Sequence, residues 1–322
     1  MAGRVSAALL GAGESLYAAA WEWRRRAYAH GWRTPRAVAA RVVSIGNLTA
    51  GGAGKTTLTL YLVALARARG IRAAVVAKNY RPGPGGQGDE ALLYARAFGN
   101  TDVFVGEKKP ALAAAAADAG CGLVIVDDGF STWSLARDLD VVLLDAQDLW
   151  GGGHLLPRGR MREPRRALQR AGVVVVSRLG RGDDPAPLLA DAHRHAPAAL
   201  LAAARHRVTG ARTLAGGPLP EGARVWVLTA TGNPGAVEKS AREAGLEVAG
   251  RSTYRDHHWF RAHEIARERA RAEAARATLL LTAKDAVRWP EGAARDGAAV
   301  LEVQWEWVSG GAAVEARVRG DG

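Results

Sequence analysis

Short runs of Val, Leu and Ile recur along the first half of the chain, separated by longer segments rich in Ala, Arg and Leu. Val42–Ile45, Ala73–Ala77, Val103–Val105, Leu123–Val126, Val141–Leu144 and Val173–Ser177 read as buried strands. Thr56–Ala68, Asp89–Phe98 and Pro110–Ala119 read as helices. Continuous apolar strands alternating with helices predict an α/β fold, a mostly parallel sheet covered by helices. Residues 181–222 are rich in Ala, Pro, Gly and Arg and carry weaker periodicity. A second set follows, with strands at Val225–Ala230 and Thr278–Thr282 and helices at Gly235–Ala244 and Arg261–Ala277. The pattern divides the chain into an amphipathic N-terminal region (1–40), a larger lobe (41–205) and a smaller second α/β lobe (206–322). The last residues, Gly320 to Gly322, are expected to fray.

The 322 residues suffice for a sizeable core, and a composition of 48% apolar and 24% charged residues is that of a soluble globular protein. The single cysteine, Cys121, cannot form an internal disulfide, which suits a reducing compartment, and reads as a small buried filler. The net charge of +12 points to an anionic partner. No zinc-finger spacing or RNA-binding aromatic signature is present, which leaves a membrane surface or a phosphorylated substrate ahead of nucleic acid.

The N-terminal segment carries much of that charge. Val5–Leu10 is apolar, but Glu14 interrupts the run before it reaches the roughly 20 residues a spanning helix needs. Leu16, Tyr17, Ala20, Trp21 and Trp23 then lead into Arg24-Arg25-Arg26, with Trp32 beyond. Aromatic residues beside a basic cluster fit a helix lying in a membrane interface, or one packed on the protein's own core with its arginines in water.

The clearest chemistry lies in Thr49-Ala50-Gly51-Gly52-Ala53-Gly54-Lys55-Thr56-Thr57. A strand, a glycine-rich turn and Lys-Thr opening a helix form the context of a nucleoside-triphosphate loop. Glycines let backbone N–H groups converge on phosphate oxygens, and the helix N-terminus adds positive charge. Lys55 would reach the β- and γ-phosphates, and the Thr56 hydroxyl would ligate Mg²⁺. The strict pattern places glycine where Thr49 stands. A second strand ends in Asp127-Asp128-Gly129, and a carboxylate there points into the crevice where ligands bind. Either member of the pair could hold Mg²⁺. Asp89, in Gly88-Asp89-Glu90, reads on its own as a helix N-cap. Asp256-His257-His258 reads as an oriented acid/base pair or as a capping group.

Together and in this order, the motifs resemble those of the tetraacyldisaccharide 4′-kinases, the lipid A 4′-kinases of Gram-negative bacteria. The carrying segments run from Val43-Ser44-Ile45-Gly46-Asn47-Leu48-Thr49 through the loop to Gly88-Asp89-Glu90 and Asp127-Asp128-Gly129-Phe130. They continue with Leu135-Ala136-Arg137-Asp138, Leu155-Leu156-Pro157, Met161-Arg162-Glu163-Pro164, Asp256-His257 and Thr282-Ala283-Lys284-Asp285. The resemblance spans the N-terminal helix to about Trp289, and it accounts for Thr49, because the family's loop also opens with a residue other than glycine.

The resemblance implies a P-loop fold of two α/β lobes and ATP-dependent phosphorylation of the 4′-hydroxyl of a tetraacylated glucosamine disaccharide 1-phosphate. The implied cofactors are ATP and Mg²⁺. Nucleotide binding falls to Thr49, Gly51, Gly52, Ala53, Gly54, Lys55, Thr56 and Thr57, and metal ligation to Thr56, Asp127 and Glu90. Lys55 and Asp128 join the catalytic set, with Asp89 as the base for the sugar hydroxyl and His257 as its partner. The N-terminal helix would hold the protein at the cytoplasmic face of the inner membrane, peripheral or shallowly inserted. No nucleic acid and no obligate protein partner is expected.

The chain departs from the family pattern at several positions. Ser131 and Thr132 stand where Gln-His is usual, Ala77-Lys78-Asn79-Tyr80-Arg81 replaces Ser-Arg-Gly-Tyr-Gly, Thr57 replaces proline, and Lys108 or Lys109 replaces an arginine. Two other readings are a partitioning-type P-loop ATPase switching on membrane or DNA, and a catalytically silent lipid-binding relative. The first lacks its signature lysine, since Ala50 occupies that position. A GTPase is disfavoured because Thr282-Ala283-Lys284-Asp285 has the wrong spacing for guanine recognition.

Overall fold

The computed structural model describes residues 2–321, with side chains from Leu9 onward apart from that of Thr101. Helix α1 (Ala2–Ala29) precedes strand β1 (Arg41–Asn47), helix α2 (Lys55–Ala68) and strand β2 (Ala73–Ala77). Then come α3 (Asp89–Phe98), β3 (Val103–Val105), α4 (Lys109–Asp118), β4 (Leu123–Asp127), β5 (Leu139–Asp145) and β6 (Val173–Ser177). Helix α5 (Ala186–His195) and the long strand β7 (Leu200–Thr213) follow. The chain closes with β8 (Arg224–Thr229), α6 (Pro234–Glu243), β9 (Glu247–Thr253), α7 (Ala262–Ala274), β10 (Thr278–Leu281), α8 (Ala283–Val287), β11 (Ala298–Ser309) and α9 (Gly311–Arg319).

These elements form two compact units, neither continuous in sequence. The first comprises residues up to Lys78, Thr101–His206 and Trp305 onward; the second comprises Asn79–Asn100 and Arg207–Gln304. The contiguous lobes expected at 41–205 and 206–322 are therefore corrected at two places. Segment 79–100 belongs with the second unit because α3 packs on α8 and ties to it by Lys284–Glu90. Residues 305–321 belong with the first because Val314 and Val318 are buried there and Arg41 donates to the carbonyls of Arg317 and Val318. Gly320 is a left-handed helix cap rather than a frayed end, and Gly322 lies outside the described residues.

In the first unit the strand order is β3-β2-β4-β1-β5-β6-β7, and every pairing from β3 to β7 is parallel. Strands β2, β4 and β6 are buried at every residue, as the unbroken apolar runs predict. The register places Ile45 beside Asp127, so β1 and β4 end level and open their loops into one crevice. In the second unit β9, β8, β10 and β11 are likewise parallel neighbours.

Helix α1 is docked on the first unit along one face only. Tyr17 Oη donates to the Arg162 carbonyl at 2.8 Å and Trp21 Nε1 donates to Glu163 at 3.1 Å. Glu14 accepts from the Leu155 N–H at 2.9 Å. The opposite face leaves Leu9, Leu16 and Trp23 between 59% and 74% exposed, at intervals of seven residues. Seven residues are close to two helical turns, so these side chains form one apolar stripe. Of the two arrangements that the composition left open, packing on the protein's own core is met along one face, and the opposite face is exposed apolar surface.

Gly46 is the tightest point of the central strand. A Cβ there would overlap that of Phe130 and approach the Phe130 N at 3.0 Å. Gly46→Ala is expected to lower stability by about 1–3 kcal/mol through overpacking. Thermal unfolding checks this, and an unchanged melting temperature would refute it.

Candidate active site

The phosphate loop is laced to the segment around Arg162. Ala50 N donates to the Arg160 carbonyl at 2.7 Å, Arg162 N donates to the Leu48 carbonyl at 2.6 Å, and Asn47 Nδ2 donates to the Thr49 carbonyl at 2.6 Å. Gly51 and Gly54 adopt φ values of +131° and +86°, where a side chain would be strained. Ala53 is buried, and its carbonyl accepts from Ser177 Oγ at 2.8 Å. Thr49 and Thr56 are buried, while Gly51 and Gly52 face solvent and Thr57 sits half-buried in the first turn of α2.

Lys55 and Asp128, both expected in the catalytic set, lie together, with Nζ 3.5 Å from the Asp128 carboxylate and 3.1 Å from Asn47 Oδ1. Asp128 occupies a left-handed turn at φ +50°. Arg162 grips both its oxygens, each at 2.8 Å, and also donates to Asn47 Oδ1. Burial would push the Asp128 carboxyl up. The Arg162 fork, with Lys55 and Lys109 nearby, instead holds it far below the usual carboxylate range. Lys109 is buried and donates to the main-chain carbonyls of Asp127 and Asp128 at 2.8 and 2.7 Å. Asp127 itself is 4% exposed.

The second unit holds the other predicted pair. Asp89 Oδ2 lies 2.9 Å from His257 Nδ1, and Arg288 Nε approaches the same carboxylate at 3.7 Å. Asp89 is not an N-cap. Gly88 occupies that position, and a Cβ there would come within 2.5 Å of the Tyr80 carbonyl oxygen. Burial raises the Asp89 pKa, but the hydrogen bond and charge of His257, aided by Lys284 and Arg288, leave it lowered overall. His257 sits at φ +62°, fixed by its N–H to the Ala230 carbonyl, with the edge of the Tyr80 ring against it. His258 is structural, 2.8 Å from Glu264 and stacked on Tyr254.

Glu90, expected among the metal ligands, lies in an ion pair. Lys284 Nζ binds its carboxylate at 2.6 Å, so its surroundings give no support to metal ligation. Among the described residues no group of three His, Cys, Asp or Glu side chains could hold a metal ion. Thr282-Ala283-Lys284-Asp285 also has a local explanation, because Thr282 and Asp285 cap α8 reciprocally and Asp285 binds the Ala230 N–H and Arg288.

Sequence reading gave no role to several residues that complete the first cluster. Asn47 and Arg162 were visible only as members of motifs, since the 34-residue separation of Arg162 from Asp128 hides their contact. Glu163 is 1% exposed and joins Trp21, Ser131 and Arg170. His206 backs the loop: a Cβ at Gly54 would fall 2.6 Å from its Nε2, a buried atom that makes no hydrogen bond.

Seven parallel strands with a glycine-rich loop after the central one define an α/β phosphate-loop protein. Residues 6–319 match the family model for tetraacyldisaccharide-1-P 4′-kinase. A tetraacyldisaccharide 4′-kinase of Anaeromyxobacter sp. (strain Fw109-5) is 38% identical over 312 residues, covering 88% of this chain and 82% of that protein. One from Halorhodospira halophila is 33% identical, covering 85% and 81%. A crystal structure of LpxK from Aquifex aeolicus in complex with ATP superposes with a TM-score of 0.73, at 20% identity and 98% coverage of each chain. The chain belongs to the tetraacyldisaccharide-1-P 4′-kinase family, and the partitioning-ATPase reading is set aside.

Burial pushes the His206 imidazole down to about 4, with Arg178 adding to the effect. The unfolded chain therefore binds this proton more tightly than the folded one does. His206 accordingly makes stability rise with pH between about 4 and its ordinary 6.5. His206→Gln is expected to flatten the stability profile in that window, as read by denaturant unfolding at several pH values. An unchanged slope would contradict the buried neutral imidazole.

Proposed function

We propose that this chain transfers the γ-phosphate of ATP to the 4′-hydroxyl of a tetraacylated glucosamine disaccharide 1-phosphate. The observation that carries the reading is an intact phosphate loop, with Lys55 poised at Asp128, in a member of this kinase family that also holds a buried Asp89–His257 pair. Phosphoryl transfer depends mainly on positioning and charge neutralisation. Lys55 and the loop N–H groups bind the phosphates. Nucleotide binding draws Lys55 towards phosphate, and Arg162 keeps Asp128 ionised and in place. Asp89 accepts the hydroxyl proton at Oδ2 or Oδ1, and His257 orients the carboxylate and keeps it ionised at neutral pH. Thr56 and Asp127 offer oxygen donors of the kind Mg²⁺ takes, and Mg²⁺ when bound neutralises charge on the transferring phosphate.

Wild-type protein with Mg-ATP and the lipid disaccharide 1-phosphate is expected to yield a bis-phosphorylated lipid. Lys55→Ala and Asp89→Asn should each lower kcat by about 100-fold or more. Mass spectrometry of the lipid reads the result. No wild-type product, or variants as active as wild type, would sink the assignment.

The same reading places the protein on the cytoplasmic face of the inner membrane. Among the described residues no helix is long and apolar enough to cross a membrane. The exposed stripe of Leu9, Leu16 and Trp23, with Arg24 and Arg26 at its end, suits a helix lying in the interface of an anionic bilayer. Replacing all three apolar residues by Gln should weaken co-sedimentation with anionic vesicles by about tenfold or more. Undiminished binding would rule out this face.

A further inference from the structure

Beside the phosphate loop, within the first unit, lies a cavity of about 660 Å³, a size that accommodates a small-molecule head group. Its wall carries four cationic side chains, Arg36, Lys78, Lys108 and Lys109, against two carboxylates, Glu107 and Asp128. Those charges are not equally available. Lys78 is 3.2 Å from Glu107, Asp128 is held by the Arg162 fork, and Lys109 turns its ammonium to the carbonyls of Asp127 and Asp128. Arg36 and Lys108 remain with no carboxylate partner among the described residues. Two unneutralised cations facing one recess create a positive potential that an anion would relieve.

The wall is held in shape independently of those side chains. Arg36 N donates to the Ser134 carbonyl at 2.9 Å, and Ala136 N donates back to the Arg36 carbonyl at 2.9 Å. The Lys108 carbonyl accepts from the first turn of α4, whose N-terminus adds partial positive charge to the same recess. The hydroxyl residues Ser131, Thr132 and Ser134 complete the lining with further hydrogen-bonding groups. At Asp128 the cavity meets the phosphate loop, because Asp128 also neighbours Lys55 at 3.5 Å.

We propose that this cavity is the acceptor's anion subsite, in which Arg36 and Lys108 receive the phosphomonoester that the acceptor already carries. The inference rests on the kinase reading above and names the part of that site which recognises its lipid. An acceptor held by its 1-phosphate among these cations directs its sugars towards the Asp128 end and the phosphate loop. Arg36 and Lys108 then act in acceptor affinity, with no part in nucleotide binding or in the transfer step.

The test compares two acceptors, the acylated disaccharide with a 1-phosphate and the same lipid with a free 1-hydroxyl, in mixed detergent micelles. Arg36→Gln and Lys108→Gln should each raise KM for the 1-phosphate acceptor about tenfold, with kcat and the KM for ATP unchanged. Wild type should already show the raised KM with the 1-hydroxyl acceptor, and the substitutions should add nothing there. Arg36→Lys, which keeps the charge, should recover part of the loss. Substitutions that weaken both acceptors equally, act on the KM for ATP, or change nothing overturn the subsite. If wild type phosphorylates neither lipid, the kinase reading itself fails, and binding of the two lipids to the unreacted protein decides the subsite alone. A wild-type preference for the 1-phosphate lipid that Arg36→Gln abolishes supports the subsite, and equal binding of the two lipids removes it.

Discussion

The carboxylate of Asp128 joins the parts of the first unit on which its chemistry depends. It is placed by a left-handed turn directly after β4, gripped on both oxygens by Arg162, and set within reach of Lys55. Removing the Arg162 side chain would leave Asp128 with Lys55 and Lys109 as its nearby cations, while the main-chain bonds that join that segment to Leu48 and Ala50 would remain. Burial and like-charge crowding both act against such a cluster. Asn47 accepts from Lys55 and Arg162, and the backbone carbonyls of Asp127 and Asp128 accept from Lys109, which offsets part of that cost, although Arg162 Nε is buried without a hydrogen-bond partner.

Through Arg162 the same cluster reaches the N-terminal helix. The Arg162 carbonyl accepts from Tyr17, and the next residue, Glu163, is held by Trp21, Ser131 and Arg170. The docked face of α1 thus combines apolar packing of Tyr17, Ala18 and Trp21 with specific hydrogen bonds, while its other face is apolar and exposed. The departure at Ser131 is partly explained by this arrangement, since a short hydroxyl donates to the buried Glu163 at 2.6 Å. For Thr57, nothing in its surroundings explains why it stands where proline is usual.

The features legible in the sequence were those encoded locally. Apolar runs gave strands β1 to β6 of the first unit, and the phosphate loop announced itself through glycine spacing and Lys-Thr. The missed elements have physical reasons. Strand β7 begins in an alanine-rich stretch whose residues have little strand preference, and it forms because Ala202–Ala204 are buried between neighbouring strands. Strand β9 contains Gly250, which reads as a breaker, yet the Trp226 ring occupies the space a side chain would need. At the site, Lys55 and Asp128 were legible because motif and position agree. Asp89 and His257 became legible only through resemblance, because 168 residues separate them and neither has a distinctive neighbourhood in sequence. Glu90 shows the converse, a motif position whose nearest chemistry is an ion pair with Lys284.

The discontinuity of the two units has a consequence for biosynthesis. The chain passes from one unit to the other at 78/79, 100/101, 206/207 and 304/305. The unit that contains the phosphate loop therefore stays incomplete on the ribosome until Trp305, Trp307 and α9 have emerged. Until then the partner of Arg41 at Val318 is missing, and so are the partners of Tyr61 at Trp307 and Glu315. The intervening 98 residues from Arg207 to Gln304 must be accommodated as an insertion while that gap closes. Vectorial synthesis thus completes the second unit first, although its sequence begins later, and the nucleotide-binding unit closes only once the segment after Gln304 has been made.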